Sequence, residues 1–419
     1  MNNNPDAGAE AGKKELFYGF IVVAACFVVM IMVYGLNYSF GVFFKPVAAD
    51  FGWNKAMTSG AYSLMAFLSG IMGIFAGRIT DKYGGRMIGI ICAVAMGGGF
   101  LLLSRLASLW EFYLYYSVLI GIGVGSSWPG LMVVPAKWFK ARRGLMTGIV
   151  ASGVGMGTLI TPPIASSLIE SHSWSFSYAV LGIAALVVIG IVAQFIKADP
   201  SKVGERLYGD TTVAAKGKAH VVLTGLSLGQ GLRTVRFYIA CAIYLCFGYC
   251  LISILIHIAP HAIEMGISPT AAAGIVSVIG GASIVSRILV AWASDKFGVK
   301  ASLIFSLVLL PIALVLLQFV TSLPLLYLFA AIFGFSYGGI MALMSLVTAR
   351  LFGIRSVGVL MGMVTFLYTI GGAIGPLVTG HIYDVSGTYS PAFWLTAGIA
   401  VLACVLAISI KMPSAEYKM

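Results

Sequence analysis

Long apolar stretches separated by short polar loops run along almost the whole chain, from residue 17 to residue 410. Each stretch has about twenty residues, enough for a helix to cross the ~30 Å hydrocarbon core of a bilayer. Twelve stretches are counted, near residues 17–44, 57–80, 87–106, 109–135, 144–168, 174–196, 237–264, 269–294, 300–320, 323–350, 356–380 and 389–410. The pattern predicts an all-α membrane protein with twelve transmembrane helices in a lipid bilayer.

The longest polar segment divides the twelve stretches into two sets of six. We predict a polar N-terminus at 1–16, a six-helix bundle at 17–196, a central loop at 197–236, a second bundle at 237–410 and a tail at 411–419. The first apolar stretch has no obvious small-residue cleavage site after it, so we interpret it as a spanning helix rather than a signal peptide.

Composition and charge agree with a membrane protein. Hydrophobic residues make up 60% of the chain and charged residues 10%, with a net charge of +12. In a soluble protein such a charge would suggest nucleic acid. Here 22 of the 26 Lys and Arg residues fall on one side if the loops alternate, against Lys45, Lys55 and Arg105 on the other. The positive-inside rule therefore predicts cytoplasmic termini in a plasma (bacterial inner) membrane, and no nucleic-acid partner.

Two loops share a motif of the form small-x-x-x-Asp-Lys-aromatic-Gly-x-x-basic. The first contains Gly77, Asp81 and Arg86, and the second, 214 residues later, contains Asp295 and Lys296. We expect the glycine to allow close helix approach, the aspartate to accept hydrogen bonds at a helix end, and the bases to pair with it in one conformation. A repeat of this kind indicates two similar bundles that face a central site and rock to give alternating access.

Arg287 is the one charge placed deep inside an apolar stretch, about 12 Å before Asp295 at helical rise. An ionisable residue at such a depth is costly and by default marks a substrate or ion pathway. No Asp or Glu lies in the interior of a stretch, so an organic anion is the expected partner, and a planar guanidinium suits a carboxylate. The alternative is a structural Arg that snorkels or binds backbone carbonyls.

Residues 138–155 resemble the fifth-helix signature of the monocarboxylate transporter family of the major facilitator superfamily. Arg142 and Arg143 carry the basic pair of that signature, and Met146 departs from it. Residues 375–394 are similar to the eleventh-helix region of the same family. The resemblance implies the major facilitator fold, with two pseudo-symmetric six-helix bundles. Among the members of the family, this sequence resembles the bacterial proton-coupled L-lactate transporters most. The resemblance implies symport of a small monocarboxylate, L-lactate before pyruvate, with a proton.

Two departures leave the proton route open. The position of a first-helix Lys in mammalian members is Tyr38, and that of their eighth-helix Asp is Ser283. His257, in the seventh stretch, is a candidate because its ordinary pKa suits a proton relay. The alternatives are that His257 only hydrogen-bonds a neighbouring helix near the outer mouth, and that the proton moves through a hydroxyl or water near Arg287.

Related oxalate/formate exchangers resemble the chain at Arg287 but carry a second cation, a Lys, where this sequence has Gly371. One cation neutralises one carboxylate, and a dianion would leave a buried unpaired charge, so a monocarboxylate is favoured. The same exchangers imply aromatic cage positions at Tyr38, Trp128 and Tyr337. A proton-independent exchanger of this kind remains the alternative function.

The remaining candidate substrate residues are polar or aromatic neighbours of these positions: Asn37, Ser283, Phe335, Phe366 and Tyr368. The six cysteines lie in apolar stretches without metal-ligand or redox spacing, and we interpret them as structural. With no nucleophile–base pair, metal motif or phosphate loop, we predict neither an enzyme nor a cofactor or metal. A membrane sensor without transport is a further alternative, and the monomer is the expected functional unit.

Overall fold

The computed structural model describes residues 17–53, 55–200, 208 and 225–413. Within these residues, twelve helices are long and apolar enough to cross a membrane. They are α1 (Tyr18–Phe43), α2 (Gly60–Tyr83), α3 (Gly85–Leu103), α4 (Leu109–Trp138), α5 (Arg143–Ser171), α6 (Trp174–Ala193), α7 (Val235–Glu264), α8 (Gly274–Phe297), α9 (Val299–Gln318), α10 (Leu323–Phe352), α11 (Val357–Ser386) and α12 (Ser390–Ser409). The predicted fold class is confirmed.

Helix pairing follows the same plan in both halves. In the first half α1 packs on α5, α2 on α4 and α3 on α6; in the second, α7 packs on α11, α8 on α10 and α9 on α12. The bundles meet along two seams, α2 with α11 and α5 with α8. Since α8 and α11 occupy the places of α2 and α5 in the second half, the two seams are related by the internal repeat.

Glycine ends two helices at equivalent places. Gly84 (φ 83°) lies between α2 and α3, and Gly298 (φ 89°), 214 residues later, lies between α8 and α9. Their N–H groups donate to Thr80 and Ser294, respectively. A positive φ is strained for any residue with a Cβ, so glycine here lets one helix stop and the next begin without a loop.

We term the end of the molecule at which α1 begins and α12 ends the basic end. The described parts of the central segment lie here: Tyr208 exchanges backbone hydrogen bonds with Trp138, Lys140 and Ala141, and a short helix, Leu228–Leu232, precedes α7. Residues 201–207 and 209–224 of the predicted loop, the predicted N-terminus 1–16 and the end of the predicted tail, 414–419, lie outside the described residues.

Candidate functional site

Arg287 lies where α8 meets α5 of the other bundle, and its side chain is 1% exposed. Its Nη1 donates to the carbonyl of Ala151 in α5 at 2.8 Å, and its Nη2 donates to the hydroxyl of Tyr337 in α10 at 2.7 Å. The Tyr337 ring centroid is 5.2 Å from the guanidinium carbon. The Nε atom has no hydrogen-bond partner, and no acid of the described residues pairs with the guanidinium. It is therefore held by neutral groups only.

Arg287 is enclosed by packed helices. Helices α5 and α8 approach so closely that a Cβ on Gly148 would overlap the backbone of Arg287. The alternative of a carbonyl-binding arginine is realised for one nitrogen, through Ala151. Because that carbonyl belongs to the opposite bundle, the contact depends on how the bundles are arranged.

Tyrosines from four helices surround a space beside Arg287. Tyr38 is 44% exposed although other helices surround it, as expected for a side chain that lines a cavity. Its electrostatic neighbours are Tyr34, Tyr62, Tyr337 and Tyr368, from α1, α2, α10 and α11. Tyr34 and Tyr368 also interact electrostatically with Arg287. Tyr38, Tyr337 and Tyr368, three of the predicted residues, are therefore close together where the two bundles meet, and the exposure of Tyr38 indicates a space beside them.

Two other predicted residues place unpartnered polar atoms in the interior. Trp128 is 5% exposed, and its ring lies edge-on to Tyr34 at 6.2 Å. Neither its Nε1 nor the Oδ1 of buried Asn37 has a hydrogen-bond partner. A buried polar atom without a partner costs roughly 1–3 kcal/mol. Ser283 differs, because its hydroxyl donates to Gly280 of its own helix at 2.7 Å.

The two predicted phenylalanines are described by other contacts. Phe366 packs against Gly70 of α2, at the α2–α11 seam. The carbonyl of Phe335 accepts a hydrogen bond from Ser286, and residues two apart on a helix point to different faces, so Phe335 does not share the direction of Tyr337. Tyr34 and Tyr62 were not among the predicted residues. Tyr34 could have been found because it lies one turn before Tyr38.

His257 contacts α11 rather than the cavity tyrosines. Its Nε2 lies 3.2 Å from the carbonyl oxygen of Pro376, and its ring centroid is 5.4 Å from that of Tyr389. These contacts match the alternative in which the histidine bonds a neighbouring helix near the mouth opposite the basic end.

At the basic end, the two motif aspartates cap helices across the seams. The carboxylate of Asp81 accepts from the N–H groups of Gly358 and Val359, in the first turn of α11, at 3.1 and 3.2 Å. The carboxylate of Asp295 accepts from Gly144 and Leu145, in the first turn of α5, at 2.7 and 3.0 Å. Since a helix N-terminus carries partial positive charge, each cap joins one bundle to the other.

The motif bases make other contacts than the predicted pairing with aspartate. Arg86 donates to Gln194 at the end of α6, and the ammonium group of Lys296 lies 4.3 Å from the Trp292 ring centroid. The partner of Asp81 is instead Lys137, whose Nζ is 3.8 Å from Oδ1.

The basic pair at the start of α5 contacts the backbone at the end of α4. Arg143 donates from Nε to the carbonyl of Phe139 at 3.0 Å and from Nη2 to that of Ala136 at 2.9 Å. Arg142 precedes it with φ 58°, in the left-handed region. Both residues therefore help to set the position of the α5 N-terminus that Asp295 caps.

The α2–α11 seam is a contact of backbones. A Cβ on Gly77 would overlap the carbonyl of Gly358, and a Cβ on Gly358 would overlap that of Gly77. Farther from the basic end, a Cβ on Gly362 would overlap the carbonyl of Gly73, whereas a Cβ on Gly73 would lie 4.0 Å from the carbonyl oxygen of Gly362. These positions fit the expectation that glycine permits close helix approach, and they seal the basic end between the bundles.

Two bundles related by an internal repeat, with a tyrosine-lined cavity and a buried arginine at their seam, define the architecture of a membrane transporter. The sequence model of the Major Facilitator Superfamily matches residues 26–292 and 237–418. The chain belongs to this superfamily.

Individual proteins support the same class. Monocarboxylate transporter 12 of Rattus norvegicus is 27% identical over 415 residues, covering 93% of this chain and 84% of that protein. Monocarboxylate transporter 13 of the same species is 26% identical, covering 92% and 87%. Among solved structures, the transporter FucP in the outward conformation gives a TM-score of 0.73 at 16% identity, covering 94% and 100%. The proton:xylose symporter XylE gives 0.75 at 15%, covering 94% and 96%.

Proposed function

We propose that the protein is a secondary active transporter that carries a small monocarboxylate, L-lactate or pyruvate before others, in symport with a proton by alternating access. The observation that carries this proposal is the Arg287 guanidinium, 1% exposed and held by neutral groups only. A buried charge without a counter-charge is costly, so an anionic substrate is its natural partner. The similarity to monocarboxylate transporters 12 and 13 supports the same substrate class.

A carboxylate beside Arg287 has donors ready. The Nε–H is unpartnered, and Nη1 becomes available when the Ala151 carbonyl of the other bundle moves away. The hydroxyl of Tyr337 fixes the orientation of the guanidinium through Nη2. A single cation favours a single carboxylate, while the rings of Tyr38 and Tyr368 offer apolar contact for a methyl group.

Symport has an energetic reason. Moving an anion inward against an inside-negative potential costs ~2.3 kcal/mol per 100 mV, whereas an anion moved with a proton is electroneutral.

We place the basic end and both termini in the cytoplasm of a plasma membrane, the inner membrane in a bacterium, on the positive-inside rule. With that end sealed, the conformation is outward-facing. One chain contains both bundles of the cavity, so we propose that the monomer, with bundles at 17–196 and 237–410, is functional.

Substitution of Arg287 tests the anion site. We expect Arg287→Gln to lower kcat/KM for labelled L-lactate in proteoliposomes by about 10- to 150-fold, the factor that corresponds to the loss of a charged hydrogen-bond partner worth roughly 1.5–3 kcal/mol. Arg287→Lys keeps the charge but not the fork, so a partial loss is expected. Arg105→Gln, an exposed charge near the opposite end, is the control. Saturable uptake at the original level in the Gln variant would contradict the proposal.

The alternative is a proton-independent carboxylate exchanger. It is favoured by Tyr38 and Ser283, which stand where mammalian members have a Lys and an Asp, and by the contact of His257 with Pro376. An imposed pH gradient, acidic outside, distinguishes the two functions: symport predicts accelerated uptake of labelled L-lactate, and exchange predicts indifference. If symport holds, loss of this acceleration in His257→Ala assigns the proton to the histidine, and its retention assigns it to the groups around Arg287.

A further inference from the structure

Two buried polar atoms near the space that Tyr38 borders have no hydrogen-bond partner, and each can play only one role in a hydrogen bond. The indole Nε1 of Trp128 can only donate, and the amide Oδ1 of Asn37 can only accept. We propose, on the basis of the function proposed above, that these two atoms bind the hydroxyl group of a 2-hydroxy monocarboxylate. The site then selects such acids over 2-oxo acids and over unsubstituted acids.

Both residues lie against the tyrosines that surround this space. The Trp128 ring is edge-on to that of Tyr34 at 6.2 Å, and the Tyr34 ring is 6.3 Å from that of Tyr38. Asn37 follows Tyr34 by three residues on α1, so the two side chains are neighbours on the helix surface. Tyr34 also interacts electrostatically with Arg287. Tyr34 is therefore next to both unpartnered residues and within electrostatic range of the arginine.

The amide of Asn37 is held by α2. Its side chain forms a hydrogen bond with that of Tyr62. Because Oδ1 has no partner, the amide nitrogen makes this bond and donates to the tyrosine hydroxyl. Tyr62 is in turn an electrostatic neighbour of Tyr38. The bond to Tyr62 thus fixes the amide and leaves its oxygen for another donor.

Burial makes the two missing hydrogen bonds costly. Asn37 and Trp128 are each 5% exposed, and their unpartnered atoms are enclosed in protein, so bulk water does not supply the bonds. A buried donor or acceptor that stays without a partner keeps the full desolvation cost of that group. A ligand that offers both a donor and an acceptor removes this cost, and a ligand that offers the wrong atom does not.

Among L-lactate, pyruvate and propanoate, only L-lactate matches both atoms. Its hydroxyl oxygen accepts from Nε1 of Trp128, and its hydroxyl hydrogen is donated to Oδ1 of Asn37. The 2-oxo oxygen of pyruvate accepts from Trp128 but meets the Asn37 oxygen with a lone pair, and propanoate satisfies neither atom. Tyrosine hydroxyls do not make this distinction, because they rotate to donate or accept.

The proposed contacts are divided between the two bundles. Arg287 lies on α8 of the second bundle, whereas Asn37 and Trp128 lie on α1 and α4 of the first. A 2-hydroxy acid therefore contacts the second bundle through its carboxylate and the first through its hydroxyl. Since one small molecule then joins the bundles, the hydroxyl contributes to closure around the substrate as well as to affinity.

The test compares L-lactate, pyruvate and propanoate, which share a carboxylate and a three-carbon chain. Each acid is titrated into the full-length protein in detergent, and its Kd is taken from the rise in unfolding temperature, so no transport is required. We expect L-lactate to bind at least about tenfold more tightly than either other acid, because each of these leaves a buried atom unpaired. Asn37→Leu should weaken L-lactate about tenfold and leave propanoate unchanged.

Trp128→Phe keeps an aromatic ring and removes the N–H. We expect this variant to weaken L-lactate and pyruvate about tenfold each and to leave propanoate unchanged, because the first two acids accept a hydrogen bond at the second carbon. It tests the proposal also if Asn37→Leu does not fold. Ser302→Ala is the control: its hydroxyl is likewise buried without a partner, but it lies on α9, so the ranking of the three acids should not change.

Equal affinity of the original protein for all three acids would overturn this proposal and leave the carboxylate site at Arg287 in place. The proposal is also overturned if Asn37→Leu and Trp128→Phe leave the ranking unchanged, if they weaken all three acids equally, or if Ser302→Ala alters the ranking as they do. Arg287→Gln should weaken all three acids, because they share the carboxylate. If none of the acids stabilises the original protein, the function proposed above fails together with this inference.

Discussion

The pair formed by Arg287 and Tyr337 is the central feature at the scale of single residues. The hydroxyl of Tyr337 accepts from Nη2 at 2.7 Å, and its ring lies 5.2 Å from the guanidinium carbon. A hydrogen bond to a charged group contributes roughly 1.5–3 kcal/mol. Since the other fixed contact, with the Ala151 carbonyl, belongs to the opposite bundle, Tyr337 is the partner that stays with Arg287 when the bundles move.

Tyr337→Phe tests this role, because it removes the hydroxyl and keeps the ring. We expect KM for L-lactate to rise about tenfold, as the freed guanidinium nitrogen loses a charged hydrogen bond and the fork loses its orientation. The measurement is initial uptake rate against substrate concentration in proteoliposomes. Tyr327→Phe, on the same helix and with its hydroxyl directed to the Ala271 carbonyl, is the control. An equal change in both variants would mean that the effect is general destabilisation.

At the scale of elements, the α2–α11 seam determines how tightly the basic end closes. Gly77 and Gly358 bring the two backbones into contact, and their carbonyls occupy the places of the missing Cβ atoms. Only backbone lies in the way, so a side chain cannot be accommodated by a rotamer change.

Gly77→Ala should therefore separate α2 from α11 and increase the population that is open at the basic end. The measurement is the distance distribution between spin labels on cysteines introduced at Lys82 and Arg355, both exposed. Gly190→Ala is the control, because a Cβ there meets open space. An unchanged distance distribution in Gly77→Ala would contradict this prediction, because it would show that the two helices accommodate the added methyl group without opening the basic end.

At the scale of the whole molecule, the two aspartate caps act together on one conformation. Asp81 joins α2 to α11 and Asp295 joins α8 to α5, so both caps exist only when the basic end is closed. A charge at a helix N-terminus contributes about 0.3–1 kcal/mol.

We expect Asp81→Asn and Asp295→Asn each to raise the open-to-closed ratio at the basic end by about two- to fivefold, and the double variant to multiply the two effects, since the caps lie on separate seams. The label pair at Lys82 and Arg355 measures the opening of the α2–α11 seam. If the bundles rock as rigid bodies, the same distance also reports the opening of the α5–α8 seam. Asp384→Asn, at the other end of α11, is the control. A double variant no more open than either single one would show that the seams open independently.

The sequence determined the elements of this protein by itself. The sequence contains twelve apolar stretches, a motif repeated around Asp81 and Asp295, and an isolated charge at Arg287. These are local properties, because spanning a bilayer depends on a continuous run of residues. Tyr38, Tyr337 and Tyr368 could be proposed from sequence through resemblance and spacing. Phe335 was proposed because it neighbours Tyr337, yet neighbours along a helix face different ways.

Only the tertiary structure decided which groups meet. The hydrogen bonds of Asp81 with Gly358 and Val359, the bond of Arg287 with Ala151 and the ion pair of Lys137 with Asp81 each join different helices, and the first two cross between bundles. Such contacts depend on how closely packed helices approach and rotate, which small residues on both sides permit jointly. The apolar pattern of a single helix does not identify the helix against which it packs.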